Sequence, residues 1–156
     1  MTQFRVSNSS TATVDADRAA VWAALTDPKL LTRFTPYLRS IDVDGDRWRW
    51  NLARIPVLSA AVSPSFTELM TFDEPTHITF THDPARTDEQ AGVEGQYHLK
   101  EAPGGKTELS IELAICVDLP LPRISRPAVH VAMRGVVATM GVRFSSNLVR
   151  YLKQSR

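Results

Sequence analysis

Few folds accommodate a run like AVHVAMRGVVATMGVRFSSNLVRYL, residues 128–152, close to the end of the chain. It holds no proline and reads as one helix of about 37 Å at roughly 1.5 Å per residue. A surface helix shows a single apolar stripe; this one shows two. At about 100° per residue, Val129, Met133, Val136, Val137, Met140, Phe144, Leu148 and Tyr151 share one broad face of large residues. About half a turn away, Val131, Gly135, Ala138, Val142, Ser145 and Val149 form a second row of small and medium residues. The helix therefore needs a wide apolar surface to lie on. The small row faces either water or a second copy of the chain; Val131, Gly135, Ala138, Val142 and Val149 are the residues through which a homodimer would form.

The surface is supplied upstream. FRVSNSSTATV reads as a strand with a polar middle. In DADRAAVWAALTDPKLLTRF, Asp15 or Asp17 can cap a first short helix, and Asp27-Pro28 ends it and opens a second. From YLRSIDVDGDRWRWNLARI onward the period changes to two. Gly45 between aspartates marks a hairpin, and further turns are expected at Glu74-Pro75, near Pro84 and at Gly104-Gly105. Trp48, Trp50 and Leu52 share a face, as do Phe66, Met70 and Phe72, and Leu109, Ile111, Leu113, Ile115 and Val117. Such alternation describes an antiparallel sheet with one dry side. The order is strand, two short helices, about six strands, long helix: one α+β domain over residues 1–156. Ser125 can cap the last helix, with Pro127 in its first turn.

The formal net charge of +1 gives no broad attraction to nucleic acid, and none is expected as a partner. No window is apolar enough for a membrane span, and MTQFRVSNSSTATV lacks the basic start and apolar core of a secretory signal. The expected location is cytoplasmic. The single cysteine, Cys116, excludes an internal disulfide and reads as a buried thiol. His77, His82, His98 and His130 have no metal-ligand spacing, and neither a nucleophile elbow nor a phosphate-binding glycine loop occurs, so no metal or cofactor is expected.

The segment DADRAAVWAALTDPKLLTRFTPYLRSIDVDGD resembles the start of the START-like, helix-grip (SRPBCC) superfamily. The likeness is carried by Val21-Trp22, the Asp27-Pro28 junction, Leu31, Pro36 and the hairpin that follows. Members include polyketide cyclases and aromatases, lipid-transfer domains, ubiquinone-binding proteins and pollen allergens. The resemblance implies a curved sheet of about seven strands gripping the terminal helix, with a cavity for a hydrophobic ligand between them. It implies no reaction and carries over no catalytic residue.

The candidate cavity lining is Trp48, Trp50, Arg54, Phe66, Glu68, Met70, Tyr97, Ile111, Met133, Val137, Met140 and Phe144. Methionines make adaptable walls for a guest, and ordinary core filling is the alternative for Met133 and Met140. Arg54 and Glu68 break the apolar alternation of their strands. Buried charges must be paired or hydrogen-bonded, so they form either a structural ion pair or the polar end of a ligand site. Tyr97 points to the apolar side, whereas His98 on the opposite phase is expected outside; His130 and Arg134 lie at the border of the large helix face. The leading reading is a carrier or sensor of a lipid, polyketide-like or aromatic molecule; its rivals are an enzyme of the cyclase or dehydratase type and a helix-mediated interaction protein whose core is filled and holds no cavity. The enzyme requires a titratable group aimed into the cavity and free of internal partners.

Overall fold

The computed structural model describes residues 2–154. Strand β1 (Thr2–Val14) leads into helices α1 (Arg18–Leu25) and α2 (Pro28–Phe34). Eight strands follow: β2 (Leu38–Asp44), β3 (Arg47–Leu52), β4 (Ile55–Val57), β5 (Ala60–Val62), β6 (Ser65–Asp73), β7 (His77–His82), β8 (Ala91–Ala102) and β9 (Lys106–Leu119). A 3-10 turn at Arg123–Ser125 delivers the chain to helix α3, Arg126–Gln154.

Local chemistry sets the element ends. The Asp17 carboxylate accepts the Ala20 N–H at 2.8 Å and opens α1, so Asp17 rather than Asp15 is the cap. Asp27 does the same for α2 through Lys29 and Leu30 at 2.9 and 3.3 Å, with Pro28 in the first turn, where no N–H is required of it. Gly45 takes φ 59° between β2 and β3, a conformation that costs glycine little.

The seven long strands form one curved antiparallel sheet in the order β1-β9-β8-β7-β6-β3-β2, with α3 packed along it: a helix-grip fold. β4 and β5 form a separate hairpin that the alternation pattern does not reveal. Its two-residue loop is Leu58-Ser59, and Leu58 adopts φ 57° without the glycine or asparagine that signals such a turn. The count of about six strands after the helices thus becomes eight, the extra two being this hairpin.

The interior consists of two packed cores. One gathers Val21, Trp22, Leu25, Leu31, Phe34, Trp48, Met70, Ile78, Leu109, Leu148 and Leu152 around the two short helices. The other gathers Phe4, Val6, Val57, Val62, Phe66, Ala91, Leu119, Val129 and Met133 under the β4-β5 hairpin. Helix α3 bridges them, contributing Val129 and Met133 at its start and Leu148 and Leu152 near its end. The Asn147 side-chain amide donates to the Phe34 carbonyl at 3.0 Å and ties α3 to α2.

The second helix row lies outward: Val131 is 73% exposed and Val142 70%, and Gly135 and Ala138 are exposed with them. Val149 departs from that row, being half-buried against the core around the short helices. No helix among the described residues is long and apolar enough to cross a membrane.

Candidate functional site

Between the two cores the sheet and α3 do not meet, and a cavity of about 170 Å³ remains. Its floor is the inner face of the sheet. Trp50 comes from β3, Phe66 and Glu68 from β6, Phe80 from β7, Val93 and Tyr97 from β8, and Ile111, Leu113 and Ile115 from β9. Its roof is the middle of α3, with Val137, Met140, Gly141, Phe144 and Ser145, and Leu31 closes the α2 side. The register pairs them across neighbouring strands: Trp50 with Phe66, Tyr97 with Ile111 and Val93 with Ile115. Phe66 stacks on Trp50 at 6.3 Å between centroids and 11° between planes, and Phe80 meets Tyr97 edge-on at 5.3 Å.

The mouth follows from the polar middle of β1. In phase with the buried Phe4, Val6 and Val14 stand Asn8, Ser10 and Ala12, all exposed. Side chains alternate between faces along a strand, so these three point to the α3 side, where the helix leaves them uncovered. Asn8 and Ser10 line the cavity opposite the exposed Gly141 and Ser145. For Asn8 and Ser10 the signal lies in the sequence, polar residues standing where the alternation calls for apolar ones; Gly141 and Ser145 carry none, Ser145 falling in the outer row by helical phase.

Of the twelve candidate residues, the structure brings Trp50, Phe66, Glu68, Tyr97, Ile111, Val137, Met140 and Phe144 around the cavity. Trp48 and Met70 point to the same side but belong to the core around the short helices. Met133 is buried in the opposite core, beside Val129. Arg54 is exposed, because β3 ends at Leu52 and the chain turns there into the β4-β5 hairpin. It forms no ion pair with Glu68. Phe72, expected inward, is 38% exposed at the rim, against Trp22 and Trp48. His130 and Arg134 do not line the cavity, and His98 lies outside, stacked on His77 at 4.1 Å.

Glu68 is therefore alone. It is 3% exposed, and no hydrogen-bond or ion-pair partner is found for it among the described residues. Burial pushes its carboxyl well above the ordinary carboxylate range. The Tyr97 phenol is raised too, first by burial and then by the nearby Glu68 charge. The Trp50 indole Nε1 is buried without an acceptor among the described residues. An apolar chamber with one acid and one phenol is equipped to hold a neutral guest, or to exchange a proton with one.

The architecture has counterparts. A family model described as "Polyketide cyclase / dehydrase and lipid transport" matches residues 5–153. A conserved protein from Geobacillus kaustophilus superposes with a TM-score of 0.75 at 17% identity, over 96% of this chain and 97% of that one. The Zhui aromatase/cyclase from Streptomyces sp. R1128 gives 0.70 at 13% identity, over 96% and 94%. A START superfamily protein from Mycobacterium smegmatis gives 0.70 at 12%, over 96% and 99%. At such identities the likeness speaks to the fold alone. No curated protein matches the chain significantly.

Proposed function

The chain belongs to the polyketide cyclase/dehydrase and lipid transport family, and from that premise we propose that it binds a hydrophobic small molecule in the cavity between sheet and α3. The observation that carries this reading is the unfilled middle between two well-packed ends. Interiors pack to crystal-like density, and space lined by Trp50, Phe66, Ile111 and Phe144 gives up dispersion contacts unless something occupies it. Removing a guest's apolar surface from water at roughly 25 cal/mol per Å² supplies the affinity. Native mass spectrometry of the purified protein, followed by organic extraction, tests the reading alongside titration with the apolar fluorophore N-phenyl-1-naphthylamine. A co-purifying compound or saturable fluorescence gain is expected. A bare mass with no fluorescence gain overturns it.

Glu68 favours a second reading, an enzyme of the cyclase or dehydratase type. It is the titratable group that such chemistry demands, within the cavity and free of internal partners. Under this reading Glu68→Gln binds the extracted compound without converting it, while the native protein converts it. A carrier returns the compound unchanged from both.

A further inference from the structure

The reading of the cavity as a ligand site sets the stage for a narrower statement about its guest. Size comes first. An apolar cavity of about 150 Å³ is known to take one benzene ring, and this one measures about 170 Å³. A long acyl chain or a fused polycycle fits only in part, its remainder left at the mouth beside Asn8, Ser10, Gly141 and Ser145. Shape comes second. The stacked Trp50 and Phe66, with Phe80, Tyr97 and Phe144, offer flat faces and edges that suit a planar ring.

Polarity decides the rest. Among the described residues the cavity lining contains no arginine, lysine or histidine, so no cation compensates an anionic guest, and ionised Glu68 would repel one. A cationic guest would pair with ionised Glu68 only after both charges left water, at several kcal/mol for each ion. A neutral acceptor meets neither cost. Protonated, the carboxyl is a hydrogen-bond donor, the Tyr97 phenol is a second, and neither has an acceptor among the described residues to satisfy first. We propose that the cavity takes a single aromatic ring carrying a carbonyl group, with the acid form of Glu68 donating a hydrogen bond to the carbonyl oxygen. The upward displacement of the Glu68 carboxyl by burial agrees with that protonation state.

Three near-isosteric probes separate the possibilities: acetophenone, ethylbenzene and protonated 1-phenylethylamine, each titrated by calorimetry against the whole chain. Acetophenone is expected to bind about five- to tenfold tighter than ethylbenzene, the value of one added hydrogen bond, and the amine weakest. Glu68→Gln keeps an N–H donor and retains the preference; Glu68→Leu abolishes it. Raising the pH erodes the preference in the native protein, as the donor is lost, and leaves that of Glu68→Gln unchanged. The proposal is overturned if the amine binds best, if ethylbenzene equals acetophenone, or if Glu68→Leu preserves the ranking. Should Glu68→Leu fail to fold, the ranking in the native protein and the pH response of Glu68→Gln still decide. If N-phenyl-1-naphthylamine binds while none of the three probes does, this inference falls and the cavity reading stands. If no apolar molecule binds, both fall.

Discussion

Glu68 concentrates the physical tension of the molecule in one side chain. Its carboxyl titrates higher in the folded protein than in the unfolded chain, where about 4.3 is ordinary. Between those two values the folded state holds a proton that the unfolded state has lost. Stability is therefore greatest below the unfolded value and falls as pH rises, by about 1.4 kcal/mol per pH unit, until the folded carboxyl ionises. Glu68→Gln carries no such penalty. Urea denaturation from pH 4 to 8 should show the variant gaining on the native protein as pH increases; parallel curves would place the charge in water. In sequence this residue stood out because it interrupts Phe66 and Met70. Arg54 interrupts its run in the same way yet lies outside, since alternation stops at Leu52 and phase cannot be carried across a hairpin.

Among elements, α3 combines two jobs along one face: Val129, Met133, Leu148 and Leu152 anchor it, while Val137, Met140 and Phe144 span the void. Helical periodicity reports which way a residue points and says nothing about what lies opposite at that level. Periodicity therefore does not separate Met133 from Met140, or Trp48 and Met70 from Trp50 and Phe66. Leu148→Ala removes a fully packed side chain and is expected to cost about 2–5 kcal/mol. Met140→Ala, at a wall already partly bare, should cost clearly less in the same thermal melt. Gly141 has open space where a Cβ would stand. Gly141→Leu should raise helix stability by up to about 1 kcal/mol while cutting uptake of N-phenyl-1-naphthylamine at least tenfold. Gly135→Leu, equally unhindered but on the outer row, should leave uptake intact.

For the molecule as a whole, the outer row of α3 is the surface a second copy would use. The helix carries Arg126, Arg134, Arg143, Arg150 and Lys153 and no acidic residue, so two copies laid together bring like charges close. Sedimentation at low ionic strength is expected to give the mass of one chain, with association gained rather than lost as salt screens the repulsion. A dimer that dissociates on adding salt would contradict this. The polar middle of β1 has its own bearing on how copies meet. β1 lies at the margin of the sheet and pairs with β9 over its full length without a bulge, the kind of border that invites another chain to add a strand. Between Ser7 and Thr13 that border offers hydroxyls, one amide and a lone alanine. An incoming strand would find almost nothing oily to cover, so the residues that keep the doorway wet also discourage fibrils from starting there.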